Sequence, residues 1–200
     1  MGGVDLPVQP PLEPMLAKAQ ATVPADEGVW SYEPKWDGFR ALVFRDGDDV
    51  VLLSRSGKDL GRYFPEVIGA VRDELAPRCV LDGEIVVPRE IAGRTRLDWE
   101  SLSQRIHPAE SRISMLAEQT PAHFIGFDAL AVGDDSLLRA PFRDRREALR
   151  ESVAEKQWCH LTRTTEDPEL ATRWLAEFEG AGLDGVIAKR LDGTYLPGKR

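Results

Sequence analysis

Cysteine is scarce. Cys79 and Cys159 are the only two in 200 residues, they lie far apart, and neither belongs to a CxxC pair. A disulfide framework and a thiolate zinc site are therefore not expected, and both thiols read as buried apolar side chains. Long apolar runs are lacking as well. No segment approaches the roughly 20 apolar residues of a membrane span, and Met1 to Leu6 shows no basic leader ahead of an apolar stretch. The expectation is a cytoplasmic protein, of bacterial cytosol or nucleoid, without membrane contact.

Positive charge is also in deficit: 26 Lys and Arg against 34 Asp and Glu give a formal net charge of −8. That balance excludes a surface basic all round, the simplest footprint of a nucleic-acid binder, so any phosphate contact has to come from a local patch. Arg143, Arg145, Arg146 and Arg150 form one candidate patch. Its competing reading is a solvated helix face paired with Asp144, Glu147 and Glu151. His107, His123 and His160 lack ligand spacing and read as structural or exposed rather than metal-binding.

What is present is enough for one folded enzyme domain, since 42% of the residues are hydrophobic. Pro7, Pro10, Pro11, Pro14 and Pro24 break any regular pattern at the start, so residues 1–25 are expected to form an extended arm and residues 26–200 the domain. Phe39 to Ser54 reads as two strands around an Asp-Gly turn. Pro65 opens a helix with Val67, Ile68, Val71 and Leu75 on one face, closed by Pro77. Strands are expected at Cys79 to Val87, His123 to Val132, Trp158 to Thr162 and Asp184 to Lys189. Helices are expected around Trp99, Leu102 and Ile106, all three as core, and over Asp144 to Ala154 and Pro168 to Phe178. Without a strict βαβ alternation, the fold class is α+β, built on largely antiparallel sheets with flanking helices.

Polar residues planted in strands carry the chemistry, because an unpaired buried charge costs several kcal/mol and needs a reason to be there. In Glu33-Pro34-Lys35-Trp36-Asp37-Gly38-Phe39-Arg40, a lysine and a carboxylate two residues apart share a face of an extended backbone. K-x-D-G alone arises by chance in roughly one 200-residue chain in twenty. Four further segments follow in order: Ser54-Arg55-Ser56-Gly57-Lys58, Leu81-Asp82-Gly83-Glu84, Phe127-Asp128-Ala129-Leu130 and Asp184-Gly185-Val186-Ile187-Ala188-Lys189.

This ordered set resembles the motif series of covalent nucleotidyltransferases, the superfamily of ATP-dependent DNA ligases, RNA ligases and mRNA capping enzymes. It is most similar to the ligases of bacterial double-strand-break end joining. The resemblance implies two packed sheets with a nucleotide cleft between them. It also implies three steps: adenylation of Lys35, transfer of AMP to a DNA 5′-phosphate, and sealing by the 3′-hydroxyl. By the same resemblance Glu33, with Pro34 beside it, lies at the adenine edge, and Phe127 stacks on the base. Arg55 and Glu84 hold the ribose, Arg40 lies beside the sugar and phosphates, and Lys189 serves the nucleotide. Asp184 falls where the family has a metal-associated Glu, one methylene longer.

The elementary chemistry agrees. An amine attacks only when unprotonated, so desolvation by neighbours such as Trp36 and a nearby cation, Mg²⁺ or Lys189, are expected around Lys35. Asp184, Glu84 and Asp37, with Asp128 in reserve, are the carboxylates expected to place Mg²⁺ (or Mn²⁺), directly or through water. The implied partners are nicked or broken double-stranded DNA and bacterial end-joining repair proteins. The family continues into a further lysine motif and an OB-fold domain. Neither is expected within the residues up to Arg200, and sealing by the chain alone is expected to be weak. An RNA ligase, a GTP-using capping-type enzyme and a truncated nucleotide-binding module remain alternatives. NAD is disfavoured, because only 34 residues precede Lys35 and leave no room for a nicotinamide-recognising domain.

Overall fold

The computed structural model describes residues 3–91, 93–106, 109–178 and 183–200. After an irregular N-terminal stretch come β1 (Trp30–Trp36), β2 (Phe39–Asp46) and β3 (Asp49–Ser54), then α1 (Pro65–Glu74) and β4 (Arg78–Val86). A short ribbon follows, β5 (Pro88–Ile91) and β6 (Arg94–Leu97), with α2 (Trp99–Ser103) and α3 (Glu110–Gln119) behind it. The second half is β7 (His123–Val132), β8 (Asp135–Ser136), α4 (Phe142–Ser152), β9 (Cys159–Leu161), α5 (Pro168–Phe178) and β10 (Leu183–Arg190).

The fold is α+β. The main sheet has the order β3-β2-β4-β7-β8, with β9 also pairing β7 and supplying the one parallel pair among the described strands. A two-stranded sheet, β1 with β10, stands apart from it, and β5 pairs only with β6. The β2–β3 hairpin closes between Asp46 and Asp49, where Gly47 takes the positive φ, 62°, that a two-residue turn requires. α1 starts on Pro65, whose missing N–H costs nothing at that position. At its other end the buried Arg45 donates to the carbonyls of Val71, at 2.9 Å, and Leu75, satisfying groups a helix end leaves open.

Strand alternation decides what each face of the sheet does. Ala41 and Val43 of β2 and Cys79, Leu81 and Ile85 of β4 point to one face, where Phe64, Val67 and Val71 from around α1 and Leu149 of α4 complete the larger core. Gly83 belongs to that side, and a Cβ there would lie 2.4 Å from the Phe124 ring and 2.5 Å from the Ile125 carbonyl. The opposite face presents Leu42, Phe44, Val80, Leu130 and Ala131. Val4, Leu6 and Val8 of the N-terminal stretch pack there with Tyr195 into a second core. On that face β4 also carries Asp82 and Glu84, so the interruption Asp82-Gly83-Glu84 turns its two acids one way and its glycine the other.

Two expectations need correction. Of Trp99, Leu102 and Ile106, only Leu102 is core, at 1% exposure; Trp99 is 47% and Ile106 43% exposed. The helix is too short, five residues, to bury a full stripe, and Trp99 instead meets Phe39 edge-on at 5.5 Å between ring centroids. The arginine cluster at 143–150 is not one surface patch. Arg145 is buried, Arg146 donates to the Thr162 carbonyl at 2.6 Å, and Arg150 pairs with Glu147 at 3.6 Å. Arg145 shares the buried stripe of α4 with Phe142, Leu149 and Ser152, and that spacing pulls it inward. Both cysteines are buried and free, and burial pushes the Cys79 thiol up to about 12. His123 and His160 stack and share a 2.9 Å hydrogen bond, while His107 lies outside the described residues.

Candidate active site

Lys35 owes its direction to a β-bulge. In the β1–β10 ladder Pro34 stands opposite Val186 and Trp36 opposite Leu183, so Lys35 alone faces both Asp184 and Gly185. Gly185 takes φ 135°, which side chains rarely adopt. A bulge re-aims the side chain it carries. Here the Lys35 Nζ donates to Asp184 Oδ2 at 2.6 Å, at the rim of a cavity of about 840 Å³ between the small sheet and the polar face of the main one. That volume falls within the range of small-molecule pockets.

All ten residues singled out in the sequence line this one cavity: Glu33, Pro34, Lys35, Asp37, Arg40, Arg55, Glu84, Phe127, Asp184 and Lys189. At its floor Glu33 is 3% exposed; its Oε1 accepts from Lys189 Nζ at 2.8 Å, and its Oε2 has no hydrogen-bond partner among the described residues. Lys189 also donates to the Phe127 carbonyl at 2.8 Å and sits 4.9 Å from the Phe127 ring centre. Arg40 lies 4.6 Å from the same ring centre. Its Nε and Nη2 each donate to Asp82 at 2.6 Å, and a third bond reaches the Met15 carbonyl at 3.2 Å. Burial works against the Arg40 charge, but Asp82 outweighs it and holds the guanidinium above its usual range.

The supports of these residues were not read from the sequence. Asp82, fully buried, also accepts from the Tyr195 hydroxyl at 2.6 Å, and that hydroxyl in turn accepts from the Met15 N–H at 2.9 Å. Arg145 forks onto Asp128 at 2.8 and 3.1 Å and ties down the Ala140 and Gly193 carbonyls at 2.7 and 2.9 Å. Arg145 was legible in principle, as a charge on the apolar stripe of its helix. Tyr195 carried no such signal, because its partner lies 113 positions away.

Two features depart from expectation. The Lys35 side chain is 45% exposed and its amine is engaged by a carboxylate, rather than desolvated beside a cation. Trp36 turns its indole N–H to Thr162 Oγ1 at 2.9 Å, so its polar edge is committed elsewhere. Among the described residues no group of three His, Cys, Asp or Glu could hold a metal ion by itself. Asp37 and Asp184 are close enough to interact, since burial first and Asp184 second push the Asp37 carboxyl up. Glu84 is different, for burial pushes it up to about 8 against the pull of Arg40.

The Glu84 shift has a testable sign. The folded state holds that proton more tightly than the unfolded chain, so this contribution to stability is intact at low pH and is lost as pH rises from about 4.5 through about 8. Relative to the unaltered chain, Glu84→Gln is expected to gain on the order of 5 °C in Tm on going from pH ~5 to pH ~8.5, read by thermal melts at both values.

The fold and the cavity, with a lysine on a bulge and an acid–amine pair on the floor, define a nucleotidyltransferase-type ligase domain. Residues 14–200 match the ATP dependent DNA ligase domain family, and the chain belongs to it. It is 80% identical over 197 residues to DNA ligase C1 of Mycolicibacterium smegmatis, covering 98% of this chain and 57% of that protein. To DNA ligase C of Mycobacterium tuberculosis it is 53% identical over 202 residues, covering 98% of this chain and 54% of that protein. Among solved structures, the ligase domain of M. tuberculosis LigD superposes with a TM-score of 0.67 at 31% identity, covering 94% of this chain and 56% of that one. A mycobacterial DNA ligase D complexed with ATP and MES gives 0.66 at 31%, covering 94% and 57%. The chain thus spans a little over half the length of these relatives.

Proposed function

We propose that this chain carries the nucleotide chemistry of an ATP-dependent DNA ligase, with Lys35 as the residue that becomes adenylated. The unprotonated Lys35 Nζ attacks the α-phosphorus of ATP; the new N–P bond forms as the bond to pyrophosphate breaks. AMP then passes from Lys35 to a DNA 5′-phosphate as the N–P bond breaks, and the 3′-hydroxyl attacks that 5′-phosphate, forming the phosphodiester as AMP leaves. The observation that carries this reading is the lysine itself, aimed by a bulge at the rim of a nucleotide-sized cavity.

The cavity floor supports adenine. Glu33 Oε2 is a buried acceptor without a partner among the described residues, and Lys189 Nζ beside it is a donor. Adenine presents the complement, an amino donor next to a ring-nitrogen acceptor, whereas guanine presents the reverse order. Phe127 offers an apolar face for the base, and a ribose between Arg55 and Glu84 leaves the phosphates toward Arg40 and Lys35. Pro34 helps wall the adenine edge.

Asp184 and Asp37, close enough to interact, would hold Mg²⁺ (or Mn²⁺), directly or through water. Bound there, the ion supplies neutralisation of phosphate charge. Attack by Lys35 would require its amine to leave its present partner, Asp184. Glu84, held toward its protonated form, suits a hydrogen bond to sugar better than a metal.

Repair of nicked or broken duplex DNA in the bacterial cytosol, alongside end-joining proteins, is the proposed setting. Among the described residues no helix is long and apolar enough to cross a membrane. A boundary near residue 25 and a further OB-type domain completing the sealing step belong to the same proposal. Incubation with labelled ATP or GTP and Mg²⁺, followed by intact mass measurement, tests it. A gain of one AMP with ATP is expected. A GMP adduct instead points to a capping-type enzyme, and no adduct to a binding module.

A further inference from the structure

Of the arginines of 143–150, Arg145 is buried, Arg146 is half-buried on the Thr162 carbonyl, Arg150 pairs with Glu147 at the surface and Arg143 is exposed, so they make no single basic face, and an acidic chain still has to meet a polyanion. The sheet topology shows where. Phe39 at the start of β2 pairs with Ile85 near the end of β4, and Ala41 pairs with Ser54 at the end of β3. The segments leaving these strands therefore share one end of the sheet, the end at which Lys35 to Gly38 enter β2. One of them is the β5–β6 ribbon, which pairs with no other strand among those described.

On this ribbon Arg89 stands directly opposite Arg96, and both are exposed. Like charges in direct register destabilise a strand pair. Only part of that charge is answered within the chain: Arg89 donates to Asp98 at 3.0 Å, while Arg96 makes no hydrogen bond or ion pair among the described residues. Just past the ribbon, Trp99 is held against Phe39 yet half exposed. Two opposed guanidinium groups on a stand-off ribbon, at the nucleotide end of a chain with net charge −8, call for an anion from outside.

We propose that the β5–β6 ribbon grips the phosphate backbone of duplex DNA through Arg89 and Arg96, extending the active site along the strand that delivers its 5′-phosphate to Lys35. This rests on the ligase reading of Lys35. The partner is a duplex because the ribbon offers charge and exposed guanidinium planes, with Trp99 already packed on Phe39 rather than free to stack on splayed bases. No base is read by these contacts, so sequence preference is not affected.

The test separates the ribbon from the nucleotide step. The unaltered chain, Arg89→Ala/Arg96→Ala and Arg89→Lys/Arg96→Lys are each assayed for AMP adduct by intact mass. Binding to a 5′-phosphorylated nicked duplex is followed by fluorescence anisotropy across a range of salt. The alanine pair is expected to form adduct as the unaltered chain does but to bind DNA roughly tenfold more weakly at low salt, with a log–log salt slope shallower by about 2. The lysine pair is expected to keep the slope. Arg96→Glu alone, which breaks no hydrogen bond or ion pair among the described residues, is expected to weaken binding at least as much as removing one phosphate contact. Unchanged affinity and slope in the alanine pair overturn the inference, as does an unaltered chain that binds no duplex at low salt or prefers single-stranded RNA through the same arginines. Failure of the unaltered chain to form adduct strikes the Lys35 reading instead and leaves the DNA slopes readable.

Discussion

Lys35→Ala is expected to form no AMP adduct with ATP and Mg²⁺, its adenylation rate falling by roughly 10⁴-fold or more, as removal of an enzyme nucleophile generally does. The cavity should survive the change, because the Lys35 side chain is about half exposed and its one ion pair is with the equally exposed Asp184. Exposed pairs contribute about 1 kcal/mol or less, so the variant is expected to melt close to the unaltered chain. ATP affinity, measured by calorimetry, should therefore change far less than adenylation. Lys35→Arg is expected to be as inert as alanine, since a guanidinium never becomes the neutral nucleophile the step requires. An adduct retained in either variant would mean that another side chain attacks.

The second large effect is on folding. Arg145 and Asp128 are both buried and joined by a forked pair of hydrogen bonds, and Arg145 also holds two carbonyls. Removing Arg145 leaves the buried Asp128 with only the more distant Lys189 as a counter-charge, which costs up to about 3–5 kcal/mol. Arg145→Ala should lower the urea midpoint accordingly. Asp128→Asn placed on top of it should recover part of the loss, because the stranded carboxylate is gone. Lys189 lies 3.8 Å from Asp128 Oδ2, so the single variant is also expected to weaken ATP binding by drawing Lys189 away from Glu33. A single variant as stable as the unaltered chain would show that water reaches Asp128 and that the pair is less buried than its geometry implies.

Much of this site could be read from the chain because its residues sit on strands, where alternation is a short-range rule. Asp82 and Glu84 flank a glycine whose Cβ would strike Phe124, so their shared direction follows from the pleat. The same rule makes β2, β4, β7 and β10 visible, each an apolar run with a polar interruption. The ribbon β5–β6 is not legible because it pairs with no other strand among those described and Arg89, Glu90, Thr95 and Arg96 are exposed, so no apolar alternation marks it. α3 escaped for a related reason: only Ile113 and Leu116 are among its buried residues, too few for a period. The arm's role was hidden by its prolines, which rule out regular structure but not burial, and Val4, Leu6 and Val8 cover the sheet without any. Long in range too is the Asp82, Tyr195 and Met15 chain of hydrogen bonds, joined across 180 positions, which no local pattern encodes.

The mismatch that sets Lys35 against both Asp184 and Gly185 joins residues 149 positions apart. On the proposed reading, reactivity is consequently absent until β10 has formed against β1. While β10 is unmade or detached, the lysine is an ordinary surface amine without the partner that orients it. On the proposed reading of Lys35, consumption of ATP is thereby confined to molecules in which β1 and β10 have already paired, a check that needs no separate sensor.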